Sequence, residues 1–200
     1  MFFKFDFLDI LFHSDSSINH GAYSNAEVDA VLEEVNGRLP VVFGCSGISI
    51  PQVVLYSKAA QKAGVDSIIA MTPARTDATT AMDMYRRLAE VFDGSIMVQN
   101  ADMYAPLRGE QVATLVDEIP QIEYIKEERQ PCPKHIAEVA QLVGDMVKCI
   151  FGGAAGKFLP DELRRGANGK TQVTFVWEPI GANQRQGRES ARWHCHRADR

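Results

Sequence analysis

Apolar and polar residues form alternating blocks through the middle of the chain, and the blocks switch between two periods. Short, continuous apolar runs such as Leu39–Gly44 and Ser67–Met71 are typical of strands that are buried on both faces. Between the runs, apolar residues recur three or four positions apart, which predicts amphipathic helices. The predicted strands begin at residues 39, 67, 95, 122 and 147.

Residues with capping or breaking preferences set the predicted helix boundaries. Ser49–Gln52 has the sequence of a capping box with proline in the first turn, and Gly64 is placed to end the helix that follows. A second capping box is predicted at Ser24–Glu27. Thr80 is predicted to cap the next helix, and Pro133 to open a later one.

The spacing of the strand starts, 25 to 28 residues, predicts repeated βα units and therefore parallel strands. A doubly wound open sheet and a (β/α)8 TIM barrel both use such units, and the regular spacing favours the barrel. Only about five units are clear. We therefore predict one incomplete α/β barrel domain over residues 1–183. The alternation of Phe3, Phe5 and Phe7 is compatible with one strand, and the eighth strand either comes from TQVTFVW at Thr171 or is missing.

Composition narrows the function classes. The chain has 200 residues, 46% of them hydrophobic, and a net charge of -5, which gives no general attraction to nucleic acid or to anionic membranes. No apolar run is long enough to span a membrane, and four scattered cysteines favour a reducing, cytoplasmic location. Residues 184–200 are rich in arginine, and we interpret them as a disordered basic tail rather than a nucleic-acid contact.

One segment, IEYIKEE at Ile122–Glu128, places a lysine at the end of a predicted strand. At a strand's period of two, Ile122, Tyr124 and Lys126 share one face. One interpretation is a strand end from which the ammonium reaches water. The other is an amine held where it attacks a carbonyl. Cys45 also follows a strand, but no histidine is placed by the sequence to activate its thiol.

Four segments in this order resemble the dihydrodipicolinate synthase/N-acetylneuraminate lyase family of Schiff-base lyases, over about residues 27–170. They are GRLPVVFGCSG at Gly37–Gly47, KAAQKAGVDSIIAMTP at Lys58–Pro73, IPQIEYIKEE at Ile119–Glu128, and FGGAAGKFLPDELRRGANG at Phe151–Gly169.

The resemblance implies a barrel in which Lys126 forms an imine with a small 2-oxo acid, without a metal or an organic cofactor. It also implies a pocket shaped by strand ends, with Thr72, Gln99 and Asn100 as substrate-binding residues and Gly152 and Gly153 at the rim. Because an incomplete barrel leaves apolar faces uncovered, we further expect a homo-oligomer.

The chain departs from the family pattern at three points. Gln99 stands where the family usually has a proton-relaying tyrosine, and an amide cannot transfer protons in that way. Tyr104 stands near the arginine that holds a dicarboxylate, so the branch resembling 2-keto-3-deoxy sugar acid dehydratases fits better. The carboxylate-binding loop is not recognisable around His20–Ser24. A non-catalytic remnant from a truncated or frameshifted gene is therefore the alternative hypothesis.

Overall fold

Strands and helices alternate along the computed structural model, which describes residues 8–10, 25–102, 105–153, 156–170 and 194–195. The strands are β1 (Leu8–Ile10), β2 (Val41–Gly44), β3 (Ser67–Ala70), β4 (Ser95–Asn100), β5 (Ile122–Glu127), β6 (Cys149–Gly152), β7 (Gly169–Lys170) and β8 (His194–Cys195). The helices are α1 (Asn25–Val35), α2 (Ile50–Ala63), α3 (Ala78–Ala89), α4 (Gly109–Glu118), α5 (Cys132–Val143) and α6 (Leu159–Arg164). All five strands predicted from the apolar runs are present.

The strands form one sheet in chain order, from β1 to β8. Each pair from β1–β2 to β6–β7 is parallel, and β8 is antiparallel to β7. Within the described ranges no pairing joins β8 back to β1. The predicted α/β architecture of parallel βα units, with an incomplete barrel sheet, is therefore confirmed.

Buried apolar side chains lie on both faces of the sheet, as expected for parallel strands. The larger cluster fills the space between the sheet and the helices and includes Ile68, Val98 and Ile125. The smaller cluster lies on the opposite face, which would line the lumen of a barrel, and we call it the inner cluster. Its members are Val42, Ile69, Met97, Tyr124, Cys149 and Phe151.

A register shift explains one wrong prediction. Ile122 packs in the helix-side cluster and Tyr124 in the inner cluster, so the two do not share a face. Ile96 pairs with Ile122 but the next residue, Met97, pairs with Tyr124, which leaves Glu123 as an extra residue in β5. Such a bulge interrupts the alternation of side chains. Tyr124 and Lys126 lie beyond it and keep the predicted common face.

The helix termini confirm one prediction and correct two. Gly64 ends α2 in the left-handed conformation, with φ 78°, as predicted. Ser49 precedes α2 but its side chain makes no capping hydrogen bond, so the predicted capping box is wrong. Gln52 instead accepts from the backbone N–H of Ile48 at 2.9 Å. The cap of α3 is Asp77, which accepts from the backbone N–H of Thr80 at 2.9 Å, whereas Thr80 was predicted as the cap.

Several predictions fall outside the described residues. These are the phenylalanine-rich strand before Leu8, the cap at Ser24, the strand in TQVTFVW, and Tyr104. Of the tail 184–200, only the two residues of β8 are described. No helix in the described part of the chain is long and apolar enough to cross a membrane.

Candidate active site

The carboxyl ends of three adjacent strands bring the central residues of the candidate site together. Lys126 in β5 is level with Gln99 of β4 on one side and with Phe151 of β6 on the other. It follows Tyr124 at a spacing of two, so its side chain lies on the same face as the inner cluster. Only 4% of the Lys126 side chain is exposed, which rules out the interpretation of an ammonium that reaches water freely.

A carboxylate that we did not predict lies beside this amine. Oε2 of Glu128 is 3.6 Å from Nζ of Lys126. The same oxygen accepts a 2.7 Å hydrogen bond from the Gln99 side-chain amide. The backbone N–H of Glu128 donates to the carbonyl of Asn100 at 2.8 Å, which extends the pairing of the two strands past the end of β5. Lys126, Glu128 and Gln99 therefore form a connected amine–carboxylate–amide group.

The two predicted rim glycines stand where carboxylate side chains need space. A Cβ atom on Gly153 would lie 2.2 Å from Oε1 of Glu128. A Cβ atom on Gly152 would lie 2.1 Å from Oε2 of the buried Glu162. The structure thus places Gly153 against the amine–carboxylate–amide group, and Gly152 against a carboxylate that belongs to α6. Their contact with a substrate stays a prediction.

Thr72 and Asn100 lie at strand ends as predicted, but their polar atoms hold the segment that precedes α4. The Thr72 hydroxyl donates to the carbonyl of Ala105 at 3.1 Å and accepts from its N–H at 3.2 Å. The Asn100 amide makes the same two-way contact with the backbone of Leu107, at 2.9 Å in each direction. The polar atoms of both residues are therefore engaged in holding this segment, and a direct contact with substrate stays a prediction.

Behind the site lies a buried ion pair on the helix side of β5. Glu127 is fully buried, and its carboxylate accepts from Nε of Arg129 at 3.0 Å and from the second guanidinium nitrogen at 3.2 Å. The Asn100 amide adds a 2.9 Å bond and the Arg129 backbone N–H a 3.0 Å bond. Burial raises the pKa of Glu127, while the bonds from Arg129 and Asn100 oppose that rise.

A second carboxylate continues this network toward the helices. Oε2 of Glu138 lies 3.8 Å from Arg129 and 3.1 Å from Nδ1 of His135. Its other oxygen accepts from the backbone N–H of Gly109, the first residue of α4. The hydrogen bond from His135 lowers the pKa of Glu138. Arg129 therefore links the end of β5 to both α4 and α5.

Two other kinds of chemistry find little support. Among the described residues, no group of three or more His, Cys, Asp or Glu side chains is arranged to hold a metal ion. Burial raises the pKa of the Cys45 thiol to about 12, so the thiolate needed by a nucleophilic cysteine is scarce near neutral pH.

The sequence holds a signal for the position of Glu128. In the run Lys126–Arg129, each residue carries a charge opposite to that of the residue two positions away, so Lys126 and Glu128 belong to one face and Glu127 and Arg129 to the other. Such a pattern predicts two ion pairs on opposite sides of one strand. Gln99 was predicted to shape the pocket, but its partner was not identified.

The chain is similar in sequence to known proteins. The sequence profile of the dihydrodipicolinate synthetase family matches residues 23–185, a longer stretch than the expected 27–170. An L-2-keto-3-deoxyarabonate dehydratase from Azospirillum brasilense is 29% identical over 145 residues, which are 70% of this chain and 47% of that protein. An uncharacterized DapA-like lyase of Halobacterium salinarum is 36% identical over 73 residues, or 36% of this chain and 24% of that one.

Solved structures are similar in fold. A prophage protein of the dihydrodipicolinic acid synthase family from E. coli K12, in complex with pyruvate, superposes with a TM-score of 0.66 at 22% identity, covering 73% of this chain and 50% of that one. A 2-keto-3-deoxygluconate aldolase from Picrophilus torridus gives a TM-score of 0.61 at 19% identity, covering 74% and 55%. The fold is that of these barrels, and the chain spans about half the length of the proteins it matches most fully.

Proposed function

This chain belongs to the dihydrodipicolinate synthetase family, and on that premise we propose that it is a lyase that forms a Schiff base between Lys126 and a 2-oxo acid. The observation that carries the proposal is the buried position of Lys126, with its Nζ 3.6 Å from the Glu128 carboxylate. A nucleophilic amine must lose its proton before it attacks a carbonyl, and Glu128 is placed to accept that proton.

The reaction then proceeds with residues of this chain alone. The Lys126 amine adds to the C2 carbonyl, and Glu128 gives the proton that it took from Lys126 to the C2 oxygen, which leaves as water. Glu128 is then a carboxylate again, and the iminium acidifies the hydrogens on C3. Glu128 accepts one C3 proton, which gives an enamine. The enamine expels the hydroxyl group on C4, which takes a proton from Glu128 and leaves as water. Hydrolysis of the C2–N bond releases the product and restores the amine.

A 2-keto-3-deoxy sugar acid is the substrate class that we propose. The similarity to an L-2-keto-3-deoxyarabonate dehydratase supports it. So does the polarity of the site, where the Glu128 carboxylate accepts hydrogen bonds from hydroxyl groups but repels a second substrate carboxylate. Arg129 does not offer such a carboxylate a partner, because Glu127 already occupies its guanidinium. The predicted roles of Thr72, Asn100, Gly152 and Gly153 in binding this substrate form part of the proposal.

Three broader features are also proposals. We place residues 1–183 in one barrel-type domain with 184–200 as a basic tail, and the protein in the cytoplasm. We also propose a homo-oligomer, because the sheet of the described residues is incomplete as a barrel and large apolar residues such as Ile48, Leu55 and Met146 are 71%, 62% and 52% exposed. Light scattering on the full chain tests self-association, and a monomer at all concentrations would contradict it. The comparisons do not favour the alternative of a non-catalytic remnant over this proposal.

Borohydride trapping tests the lyase proposal. The full chain is incubated with pyruvate or a 2-keto-3-deoxy sugar acid, reduced with borohydride, and mapped by mass spectrometry. We expect one adduct on Lys126, and none on the Lys126→Ala variant. Lys148→Ala serves as the matched control, because Lys148 pairs with Glu123 and is half exposed. An adduct on another lysine, equal labelling of Lys126→Ala, or no adduct at all would contradict the proposal.

A further inference from the structure

Glu128 lies in a space that only a glycine at position 153 leaves open. A Cβ atom on Gly153 would lie 2.2 Å from Oε1, 2.5 Å from Cγ and 2.7 Å from Cδ of Glu128. Contacts below 3.0 Å are not tolerated between such atoms, so one of the two side chains would have to move.

The clash involves more than the mobile end of the side chain. Cγ is the second carbon of the Glu128 side chain, and moving it requires rotation about the Cα–Cβ bond. That rotation carries the whole carboxylate with it. Because Oε2 is held 2.7 Å from the Gln99 amide and 3.6 Å from Lys126 Nζ, both relationships would be lost together.

We propose that Gly153 is a positioning residue, which keeps the Glu128 carboxylate beside Lys126 by leaving its side of the site empty. The inference rests on the proposed function and adds a structural requirement to it. Gln99 fixes the carboxylate from the β4 side by a hydrogen bond, and Gly153 fixes it from the β6 side by the absence of a side chain.

The position of the Glu128 carboxylate matters most for one step of the reaction, the proton transfer at C3. Proton transfer at C3 needs a carboxylate within reach of the enzyme-bound substrate, and general bases of this kind contribute about 100- to 10,000-fold in rate. The imine forms at Lys126, and Glu128 as the proton acceptor changes the rate of that step rather than the extent of imine reached at equilibrium. A side chain at 153 should therefore leave the equilibrium extent of imine unchanged while it slows proton transfer at C3.

Exchange of the C3 hydrogens of pyruvate with deuterated water, followed by NMR, measures proton transfer directly. Borohydride trapping on the same samples measures the imine at Lys126. After incubation long enough for the imine to reach equilibrium, we expect Gly153→Ala to show the trapped adduct at the extent of the unmodified chain, with exchange slowed about 100-fold. Glu128→Gln should show the same pattern. Gly47→Ala is the matched control, because the three atoms nearest to a Cβ there all belong to the side chain of Gln52, the first of them at 2.9 Å.

A double variant keeps the test decisive if Gly153→Ala alone folds poorly. With Glu128 shortened to alanine, a Cβ at 153 has room, so Glu128→Ala with Gly153→Ala should exchange at the same rate as Glu128→Ala alone. A further tenfold loss in the double variant would overturn the inference. So would equal exchange by Gly153→Ala and the unmodified chain when both carry the adduct. Absence of the adduct from the unmodified chain would overturn the proposed function, and the inference with it.

Discussion

The side-chain amide of Gln99 donates a 2.7 Å hydrogen bond to the carboxylate of Glu128. The family resemblance implies a tyrosine at position 99, whose phenol would relay protons itself. In this chain the Gln99 amide only holds and orients the Glu128 carboxylate. That ionisable group follows the neighbouring strand, β5. The change at position 99 is thus accompanied by a carboxylate that is able to exchange protons beside Lys126.

This relationship makes Gln99→Tyr a poor route to dihydrodipicolinate synthesis. A phenol at 99 supplies a proton relay but removes the amide donor to Glu128, and it restores no group for a second carboxylate. We expect no detectable condensation of pyruvate with aspartate semialdehyde by this variant, measured by a coupled absorbance assay. Trapping of pyruvate on Lys126 provides the control that the site is intact. Detectable condensation would show that residue 99 alone separates the two activities.

The ion pair between Glu127 and Arg129 should contribute far more to stability than the surface pairs. Because Glu127 is fully buried, Arg129→Met leaves an uncompensated carboxylate, and the free energy of unfolding should fall by about 3–5 kcal/mol. Arg86→Met removes a pair with Glu118 whose side chains are about two-fifths exposed, and should cost less than about 1 kcal/mol. Urea unfolding of both variants makes the comparison, and equal losses would contradict it.

Acid should weaken the fold partly through Glu138. Its pKa in the folded protein lies below the ordinary value of 4.5, chiefly because of the hydrogen bond from His135. The stability that this carboxylate contributes is therefore complete above 4.5 and is lost as pH falls through the folded pKa. Glu138→Gln should lose less stability than the unmodified chain between about pH 6 and about pH 3 in urea unfolding.

The control for this pH series is Glu33→Gln, which changes an exposed carboxylate on α1. It should show the same acid sensitivity as the unmodified chain. If Glu138→Gln also matched the unmodified chain, the pairing of Glu138 with His135 and Arg129 would contribute nothing to folding.

At Gly64 the energetic cost of an unfavourable backbone conformation can be measured separately from side-chain packing. Its φ of 78° favours glycine, and a Cβ there would meet no atom within 4 Å. Gly64→Ala should therefore lower the free energy of unfolding by roughly 1 kcal/mol through strain alone. Gly64→Asn should cost less, because asparagine adopts the left-handed region more readily. Thermal or urea unfolding of the pair tests this order, and a larger loss for asparagine would contradict it.

The parts of the fold that depend on local periodicity could be predicted from the sequence. Buried parallel strands such as Val41–Gly44 need continuous apolar runs, and Gly64 has a strong local preference, so both were correct. The face of Ile122 was wrong because the extra residue in β5 is defined only by pairing with β4. The cap of α3 was misplaced at Thr80 because Asp77 and Thr80 are both good capping residues.

The candidate site was predictable only in its central residue. Lys126 was identified by its place in a strand and by family resemblance. Glu128 was missed because a charged residue just past a strand normally turns to water, whereas here the Gln99 amide and the open space at Gly153 let it lie beside Lys126. Long-range contacts between strands about 27 residues apart therefore decide which charges belong to the site.

Two ion pairs of the same chemical type occupy opposite faces of one strand, Lys126 with Glu128 inside and Glu127 with Arg129 outside. An evolutionary consequence follows from this separation. Substitutions on the inner face alter chemistry and leave the anchoring pair intact, so descendants of such a gene are free to exchange one reaction for another while the scaffold persists. Substitutions on the outer face meet selection for folding first, whatever reaction the inner face performs.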